Sequence, residues 1–301
     1  MKIFITEPSE ISSQAKNILK AHGHELFESI AKNQESSIEV LFIRTYLKLT
    51  KEYLSRFPNL TYIIRAGSGL DNIDLEECKQ RHITVISSPG SNAFSVAEHA
   101  LTMLLLMLKN ITGQSRILSE GGWRSKDLQG NELRGKTIGL LGCGAVGQVL
   151  AKLLEPFEVK IVGYDKYLSP AKFKELKISR VTISELFKNS DLVSIQIPLT
   201  KETVNLISVK ELSLMKKSAS LVNVSRGEII NEDDLITALS QGKIKAAALD
   251  VVKGEPTPSR RLSALENIFI TPHIAGYTVE ADEAISTDAA LNFLKAIEDH
   301  K

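Results

Sequence analysis

The sequence predicts an α/β fold in which parallel sheets carry helices on both faces. The first 90 residues alternate short apolar runs with amphipathic segments, which is typical of βαβ units. The same alternation resumes at Thr137 and continues to Ile270. A chain of 301 residues with 43% hydrophobic content is long enough for about two domains. We therefore expect two doubly wound domains, each with its own core.

Composition narrows the classes of function. The formal net charge is +1, with Lys and Arg spread along the chain, so neither nucleic acid nor a membrane surface is expected as a partner. The longest apolar run, 100–108, is far shorter than the ~20 residues that a membrane-spanning helix needs. The N-terminus is interpreted as a short strand rather than a signal peptide. Cys78 and Cys143 fit no metal-ligand spacing, so we expect no metal and a reducing, cytoplasmic location.

The first 90 residues divide into strands and helices by hydrophobic period. The predicted strands are Lys2–Ile5, His24–Phe27, Val40–Ile43, Tyr62–Arg65 and Ile83–Ile86. The predicted helices are Ile11–Ala21, Lys51–Phe57 and Leu75–Arg81.

Two of these strands end in arginine. Arg44 directly follows one strand, and Arg65 ends the next and precedes the turn Gly67-Ser68-Gly69. Open α/β sheets bind ligands beyond the carboxyl ends of their strands, and a small turn can offer N–H groups to an anion. A binding role is the preferred interpretation for Arg65 and its turn. Arg44 alone fits a surface charge equally well.

Residues 91–110 follow helical spacing and are apolar on nearly all sides. A helix of this kind is buried on more than one face, between domains or beneath another subunit. His99 is interpreted as a structural residue of this helix. The polar loop Gly121–Ser125 contains Trp123, which suggests a partner surface.

A dinucleotide-binding pattern begins at Thr137. The apolar run Ile138–Leu141 leads into Gly142, Gly144 and Gly147, and a helical segment follows. A second apolar run then ends on Asp165. In this pattern the glycines allow a tight turn, close approach of a pyrophosphate and close helix packing, and the acid accepts hydrogen bonds from the ribose hydroxyls. Cys143, between two of the glycines, is either a stabilised thiolate or, the preferred interpretation, a small filler of the turn.

The alternation continues to the C-terminus, with helices predicted behind Thr182 and Ser208. The further strands are Val159–Tyr164, Leu192–Ile197, Ala219–Val224, Ala246–Val251 and Ile268–Ile270, and the further helices are Ile183–Phe187, Val209–Met215, Asp233–Gln241 and Val279–Glu298.

Three strand ends in this half carry polar residues: Arg226, Glu255 and His273. An arginine can bind a carboxylate bidentately, and a histidine can exchange a hydroxyl proton near neutral pH. The glutamate can hydrogen-bond the second ring nitrogen and fix the tautomer. Each residue alone also fits a structural role. Together, beside a dinucleotide site, they predict dehydrogenation of a 2-hydroxy acid.

With these motifs the chain resembles the D-isomer-specific 2-hydroxyacid dehydrogenase family over essentially its full length. The resemblance implies a flavodoxin-like substrate domain, 1–91 plus 280–301, and a Rossmann NAD-binding domain, 92–279, with NAD between them. It further implies a homodimer built around 92–134. By the same resemblance Arg226 binds the substrate carboxylate, His273 is the acid/base and Glu255 is its partner.

The resemblance also implies the binding residues. Asp250 would meet the nicotinamide carboxamide, and Val96 would pack near the ring. The full cofactor set comprises Gly142, Gly144, Ala145, Val146, Gly147, Asp165, Pro198, Thr203, Val224, Asp250, Gly276 and Val96. The substrate set comprises Arg44, Arg65, Ser68, Gly69 and, from a neighbouring subunit, Arg124.

Within the family, the segments 42–45, 65–74 and 164–170 most resemble D-3-phosphoglycerate dehydrogenases. These oxidise D-3-phosphoglycerate to 3-phosphohydroxypyruvate, the first step of serine biosynthesis, and the likeness implies that the arginines hold the phosphate. Two features depart from the pattern. Gln196 stands where many members have histidine, and the sequence ends at Lys301 without the longer enzymes' regulatory domain, so serine feedback is not expected.

Two other functions remain open. The first keeps the chemistry with hydroxypyruvate, glyoxylate or another short 2-oxo acid as substrate. The second is an NAD-sensing interaction protein of the kind related to dehydrogenases, such as the transcriptional corepressors. NAD is expected to be preferred over NADP because Asp165 would repel a 2′-phosphate, although Lys166 beside it could soften the preference.

Overall fold

The computed structural model describes residues 1–299; the last two residues of the predicted substrate domain, 300 and 301, lie outside the described part. The chain separates into two compact units. Unit 1 contains Met1–Asn92 and the segment that starts at Gly276, and unit 2 contains Ala93–Ala275.

The strands lie within two residues of the predicted ones, apart from a short strand, β8, that the sequence pattern did not indicate. Those of unit 1 are β1 Lys2–Ile5, β2 Glu25–Phe27, β3 Val40–Ile43, β4 Tyr62–Arg65 and β5 Thr84–Ser87. Those of unit 2 are β6 Thr137–Leu141, β7 Lys160–Tyr164, β8 Ser179–Arg180, β9 Leu192–Ile195, β10 Ser220–Asn223, β11 Ala246–Leu249 and β12 Ile268–Ile270.

The helices follow in chain order. They are α1 Ser13–Ala21, α2 Lys51–Ser55, α3 Leu75–Gln80, α4 Ala93–Lys109, α5 Ile111–Ser119, α6 Ala145–Leu154, α7 Pro170–Glu175, α8 Ile183–Asn189, α9 Val209–Leu212, α10 Glu232–Ser240, α11 Arg260–Ser263 and α12 Val279–Asp299. The predicted helix over 91–110 is shorter, and a separate helix, α5, follows it. Asn110 causes this break, because it adopts a left-handed conformation with φ +52°.

Short polar side chains fix where several helices begin. The side-chain oxygens of Ser12, Thr50 and Asp74 each accept a hydrogen bond from a backbone N–H in the first turn of the following helix. Thr182 and Glu185 cap α8 reciprocally, each bonding the other's backbone N–H.

The sheet of unit 1 is parallel and has the strand order β2-β1-β3-β4-β5. This is the flavodoxin-like order, and it confirms the predicted fold class for this unit. Ile43 pairs with Arg65 across β3 and β4, so Arg44 begins the loop just beyond that row. Helix α12 packs into the same core as α1, through Ala289 and Phe293.

The sheet of unit 2 has the order β12-β11-β10-β9-β6-β7-β8, and every pair is parallel. The direction of the order reverses between β6 and β9, which is the Rossmann arrangement and the usual place for a ligand. One continuous row of paired residues ends six of the strands: Tyr164, Leu141, Ile195, Asn223, Leu249 and Ile270. The loops that carry the predicted site residues of this unit therefore start at one edge of the sheet.

Helix α4 is a core element of unit 2. Ala97, Ala100 and Leu104 have no exposed surface and lie in the apolar cluster that also contains Leu140 and Leu150. Within residues 1–299 we find no single helix long and apolar enough to cross a membrane. Helices α4 and α5 meet these requirements only as a pair, and the pair is bent by 61°.

Two turns at the sheet edge pack closely at Gly227. A Cβ at this position would lie 2.1 Å from the carbonyl carbon of Val252 and 2.4 Å from the nitrogen of Lys253. Both obstructing atoms are backbone, so they cannot move aside as a flexible side chain can. Only glycine therefore lets the turn after β10, with Arg226, lie against the turn after β11, which leads to Glu255.

We expect Gly227→Ala to lower the free energy of unfolding by about 1–3 kcal/mol, because overpacking in a close-packed region forces backbone shifts. Urea unfolding followed by circular dichroism measures the change. Gly144→Ala is the matched control, since a Cβ there meets no atom within 4 Å and φ is −71°. An equal loss in both variants would show that the contact with Val252 is not the cause.

Candidate active site

The glycine turn after β6 has a different constraint at each glycine. Gly142 has φ +99°, a conformation that other residues rarely adopt. A Cβ on Gly147 would lie 2.4 Å from the carbonyl oxygen of Gly142, so α6 can pack this closely only with glycine there. At Gly144 a Cβ would meet nothing within 4 Å, so this side of the turn is open to a ligand.

Helix α6 begins at this open position. Gly144 is its N-cap and provides no side-chain hydrogen bond, so the first N–H groups, including those of Ala145 and Val146, are left for a ligand. A helix N-terminus also carries a partial positive charge that favours phosphate. The turn and the helix start therefore fit the pyrophosphate of a dinucleotide.

Asp165 stands directly after β7 and is held by three backbone N–H groups. One carboxylate oxygen accepts from Cys143 at 2.9 Å, and the other accepts from Tyr167 at 2.8 Å and Leu168 at 3.0 Å. These bonds fix the carboxylate beside the glycine turn, and its contact with a ribose stays a prediction.

Cys143 is a buried thiol. Burial, with a smaller contribution from the charge of Asp165, raises its pKa to about 12. A thiol with such a pKa stays protonated near neutral pH, so the side chain fills the turn and is not a reactive thiolate.

Lys166 and the loop after β9 lie beside Asp165. The Lys166 ammonium is 2.5 Å from a carboxylate oxygen of Glu202, and this hydrogen bond is the main cause that raises the pKa of Lys166. The loop is closed by Thr203, whose hydroxyl donates to the carbonyl of Pro198 at 2.7 Å. The predicted cofactor residues Pro198 and Thr203 are therefore brought together in one turn.

The predicted acid/base pair of unit 2 is formed. Nδ1 of His273 lies 2.8 Å from a carboxylate oxygen of Glu255, and both side chains are partly exposed. The backbone N–H of His273 donates to the carbonyl of Asp250 at 2.8 Å, and its φ is +56°. The ring is thus fixed by its partner and by its backbone.

Burial is the largest single effect on the carboxyl of Glu255 and raises its pKa. The hydrogen bond from His273, the charge of His273, the N–H of Val252 and the charge of Arg226 lower the pKa, and together they outweigh the effect of burial. The net result is a pKa below the ordinary value of a glutamate. Its carboxylate therefore remains ionised near neutral pH and is available to stabilise a protonated imidazole.

Asp250 has a role that the sequence pattern did not reveal. Its carboxylate is fully buried and accepts hydrogen bonds from the Thr271 hydroxyl at 2.6 Å and from the N–H groups of Ile274 at 2.8 Å and Ala275 at 2.9 Å. Nε2 of His99 lies 3.2 Å from the same hydroxyl. Asp250 thus fixes the turn that carries His273, and its contact with a carboxamide stays a prediction. The sequence signal for Thr271 was its position directly after β12, two residues before His273.

Arg226 follows β10 in a turn shaped by Asn223. The buried amide of Asn223 donates to the carbonyl of Arg226 at 2.9 Å and accepts from the N–H and hydroxyl of Ser225. One guanidinium nitrogen of Arg226 donates to the carbonyl of Ser225 at 2.7 Å. The partly exposed guanidinium lies close enough to Glu255 for its charge to lower the carboxyl pKa.

The remaining cofactor residues are apolar or glycine. Val96 and Val224 are buried in the same cluster as Ala275, whose carbonyl accepts from Ser95 at 2.7 Å. This cluster provides an apolar surface of the kind that a nicotinamide ring needs. Gly276 belongs to unit 1, where a Cβ would lie 2.7 Å from the amide nitrogen of Asn92.

The two predicted substrate arginines of unit 1 are buried, whereas Ser68 is exposed and Gly69 is partly exposed. The Arg44 guanidinium forms an ion pair with Asp282 on α12 and donates to the carbonyl of Glu10 at 3.3 Å. The Arg65 guanidinium folds back over Gly67 and donates to the carbonyl of Ala66.

The turn at Ser68 and Gly69 is joined to the end of β5. The hydroxyl of Ser68 accepts from the N–H of Gly90 at 3.3 Å, and that of Ser88 accepts from Gly67 at 2.9 Å. Arg124 lies on an exposed loop of unit 2. Its predicted role toward a neighbouring subunit stays a prediction.

Comparison with known proteins identifies the domain that carries most of this site. The family model for the D-isomer specific 2-hydroxyacid dehydrogenase NAD-binding domain matches residues 101–275. NAD is therefore the cofactor of this domain, and the glycine turn, the start of α6 and Asp165 are the residues that fit it. The confirmed cofactor is the one predicted from the sequence motifs.

Three relatives illustrate the range of the similarity. D-3-phosphoglycerate dehydrogenase of Archaeoglobus fulgidus is 37% identical over 93% of this chain, which spans only 54% of that relative. Hydroxypyruvate reductase of Thermotoga maritima is 38% identical over 86% of this chain and 85% of its own length. A D-lactate dehydrogenase structure from Aquifex aeolicus, with NAD and lactic acid, has a TM-score of 0.86 at 29% identity and covers 100% of this chain and 96% of that one.

The family model covers more than half of this chain, and the Thermotoga maritima relative matches most of both chains. Both findings agree with the resemblance carried by the motifs around Gly142, Arg226, Glu255 and His273. This chain belongs to the D-isomer-specific 2-hydroxyacid dehydrogenase family.

Proposed function

We propose that the chain catalyses the NAD-dependent oxidation of a small D-2-hydroxy acid to the 2-oxo acid, and the reverse reduction. The observation that carries the proposal is the 2.8 Å contact between Nδ1 of His273 and the Glu255 carboxylate. A hydrogen bond at Nδ1 leaves Nε2 as the nitrogen that exchanges a proton with the substrate.

The roles of the residues follow from their chemistry. His273 takes the proton of the C2 hydroxyl in oxidation, and Glu255 stabilises the imidazolium that results. Arg226 binds the substrate carboxylate, for which its planar guanidinium is suited. Asp250 holds the turn of His273. NAD, when bound, would supply the acceptor for the hydride of C2.

The first candidate substrate is D-3-phosphoglycerate, whose oxidation to 3-phosphohydroxypyruvate begins serine biosynthesis. The Archaeoglobus fulgidus relative carries that enzyme's name, and Arg44 and Arg65 are cations suited to a phosphate. Ser68, Gly69 and Arg124 complete this proposed set.

The second candidate is an unphosphorylated acid such as hydroxypyruvate or glyoxylate in the direction of reduction. The ion pair between Arg44 and Asp282 favours it, since this arginine already has an anionic partner. The Thermotoga maritima relative, named a hydroxypyruvate reductase, supports it too.

The acid/base assignment predicts that His273→Gln lowers kcat by about 10²–10⁴-fold on every accepted acid, because positioned proton transfer contributes that factor. Glu255→Gln removes the carboxylate that stabilises the protonated ring. Oxidation needs the neutral ring, so the oxidation rate should increase with pH in both proteins. In this variant the increase should occur over a lower pH range than in the wild type. Steady-state rates between pH 5 and 10, with 3-phosphoglycerate, glycerate and lactate as substrates, measure both effects.

Glu298→Gln is a control of equal charge change outside the proposed site, and its pH profile should match the wild type. An unchanged profile in Glu255→Gln would contradict the pairing. No turnover of any acid with NAD in the wild type would contradict the proposed activity itself.

For the cofactor we propose a preference for NAD that depends on two acids. Asp165 repels the 2′-phosphate of NADP. The neighbouring cation, Lys166, could attract that phosphate, but it is already paired with Glu202. We expect kcat/KM to favour NAD over NADP by at least about 100-fold, because opposed like charges cost several kcal/mol. Glu202→Gln should raise kcat/KM for NADP roughly fivefold by releasing Lys166.

The double variant Glu202→Gln with Lys166→Gln is the control, because the gain should vanish once the released cation is gone. Equal use of NAD and NADP by the wild type would show that Asp165 is misassigned.

We also propose a homodimer through 92–134 and a cytoplasmic location, the latter supported by the unpaired thiols of Cys78 and Cys143. Four large apolar side chains of the dimer segment are exposed: Phe94, Ile111, Leu118 and Trp123. Exposed apolar residues grouped in one segment are typical of a protein interface.

Trp123→Ser should weaken the dimer by about 30-fold in Kd, since an aromatic anchor of an interface contributes about 2 kcal/mol or more. Sedimentation velocity over a range of concentrations measures the constant. Tyr167→Ser is the matched control, an exposed aromatic residue of unit 2 outside the segment. A monomeric wild type at micromolar concentration, or an equal effect of both substitutions, would contradict the proposed interface.

A further inference from the structure

Arg44 is a buried cation with its partners inside unit 1. The side chain is 10% exposed, and its guanidinium bonds the Asp282 carboxylate and the Glu10 carbonyl. A charge buried to this degree is stable only when it is paired. Asp282 therefore provides the anion that a substrate phosphate would otherwise provide.

Both members of the pair are held by rigid neighbours. The backbone N–H of Arg44 donates to Glu7 at 2.6 Å, and its carbonyl accepts from Asn72 at 3.3 Å. Asp282 lies in the first turn of α12, next to the buried Ala281. Because the two backbones are fixed, the ion pair forms with little further loss of conformational freedom.

The surroundings of Arg44 are acidic as well. Glu7 accepts from the backbone N–H groups of both Arg44 and Tyr46, so its carboxylate lies at the same strand end. Two carboxylates, Glu7 and Asp282, thus bond this one arginine residue. A phosphate with nearly two negative charges would meet repulsion here in addition to competition.

We propose that Asp282 is a specificity-determining residue, which occupies Arg44 and so selects against substrates with a phosphorylated tail. The inference rests on the proposed function and decides between its two candidate substrates in favour of the unphosphorylated one. The Asp282 carboxylate is part of the same chain as Arg44, so it competes for the guanidinium at a high effective concentration. The phosphate of a substrate must displace this carboxylate to reach Arg44. An uncharged tail does not need that displacement.

The test compares two acids that differ in the phosphate, D-3-phosphoglycerate and D-glycerate. The quantity is the ratio of kcat/KM for the first to kcat/KM for the second. Asp282→Asn keeps the size of the side chain and removes its charge, and we expect the ratio to rise by about tenfold or more, since a charge-assisted hydrogen bond to phosphate is worth at least that factor. The ratio does not depend on how much of the variant is folded, because the concentration of active enzyme cancels.

Two further variants isolate the cause. Glu283→Gln removes the same charge one position along the same helix from an exposed residue, and it should leave the ratio within about twofold of the wild type. Arg44→Ala combined with Asp282→Asn should lose the gain, because the released cation is then absent. An unchanged ratio in Asp282→Asn, or an equal rise in Glu283→Gln, would overturn the inference.

A binding measurement separates this inference from the proposed activity. Inorganic phosphate, titrated calorimetrically into the protein without cofactor, should bind Asp282→Asn with a Kd about tenfold lower than that of the wild type. Failure of the wild type to turn over these two acids and every other 2-hydroxy acid tested would refute the proposed activity and leave this comparison intact. Equal phosphate affinity of the two proteins would refute the role of Asp282 whether or not the acids are turned over.

Discussion

The buried carboxylate of Asp250 is the interaction on which the active-site edge of unit 2 depends. A carboxylate without exposed surface costs several kcal/mol unless hydrogen bonds replace its water. Its donors are the hydroxyl of Thr271 and the N–H groups of Ile274 and Ala275, all in the turn after the neighbouring strand. That turn must therefore pass close to Asp250, and His273 in its middle accepts a left-handed backbone conformation, φ +56°. The position of His273, the proposed base, thus follows from the requirement to satisfy a buried charge.

A second carboxylate also joins two neighbouring turns, at the glycine turn after β6. Asp165 follows one strand and bonds the N–H of Cys143 in the turn of the neighbouring strand. At the other end, Gly227 removes a side chain so that two turns can touch. Each turn is thereby shaped by its neighbour as well as by its own sequence. Contacts between neighbouring turns thus help to fix residues on irregular segments, and the proposed reaction needs its reacting groups positioned closely.

Most of the fold follows from local sequence. Buried parallel strands are continuous apolar runs, so their positions were predicted to within two residues, and parallel pairing then places their carboxyl ends at one edge. This is why Arg226, Glu255 and His273 could be grouped from the sequence alone. The end of α4 was predicted to within one residue, but helix α5, Ile111–Ser119, was not predicted. Strand β8 was missed because its two residues, Ser179 and Arg180, are exposed and carry no apolar signal.

The pairing of Arg44 with Asp282 could not be predicted, and the reason is general. Arg44 lies on the loop after β3 and Asp282 lies on α12, so the two residues are 238 positions apart in the sequence. Local sequence patterns do not encode contacts between residues so widely separated. Sequence identifies an arginine at a strand end as a possible anion site, but whether it is available depends on which side chains surround it. In unit 1 the last helix packs on α1 through apolar residues and at the same time brings a carboxylate to the sheet edge. A helix that completes the core therefore also sets the charge around Arg44. This is why we propose that a substitution on α12 changes substrate preference without changing the reacting residues.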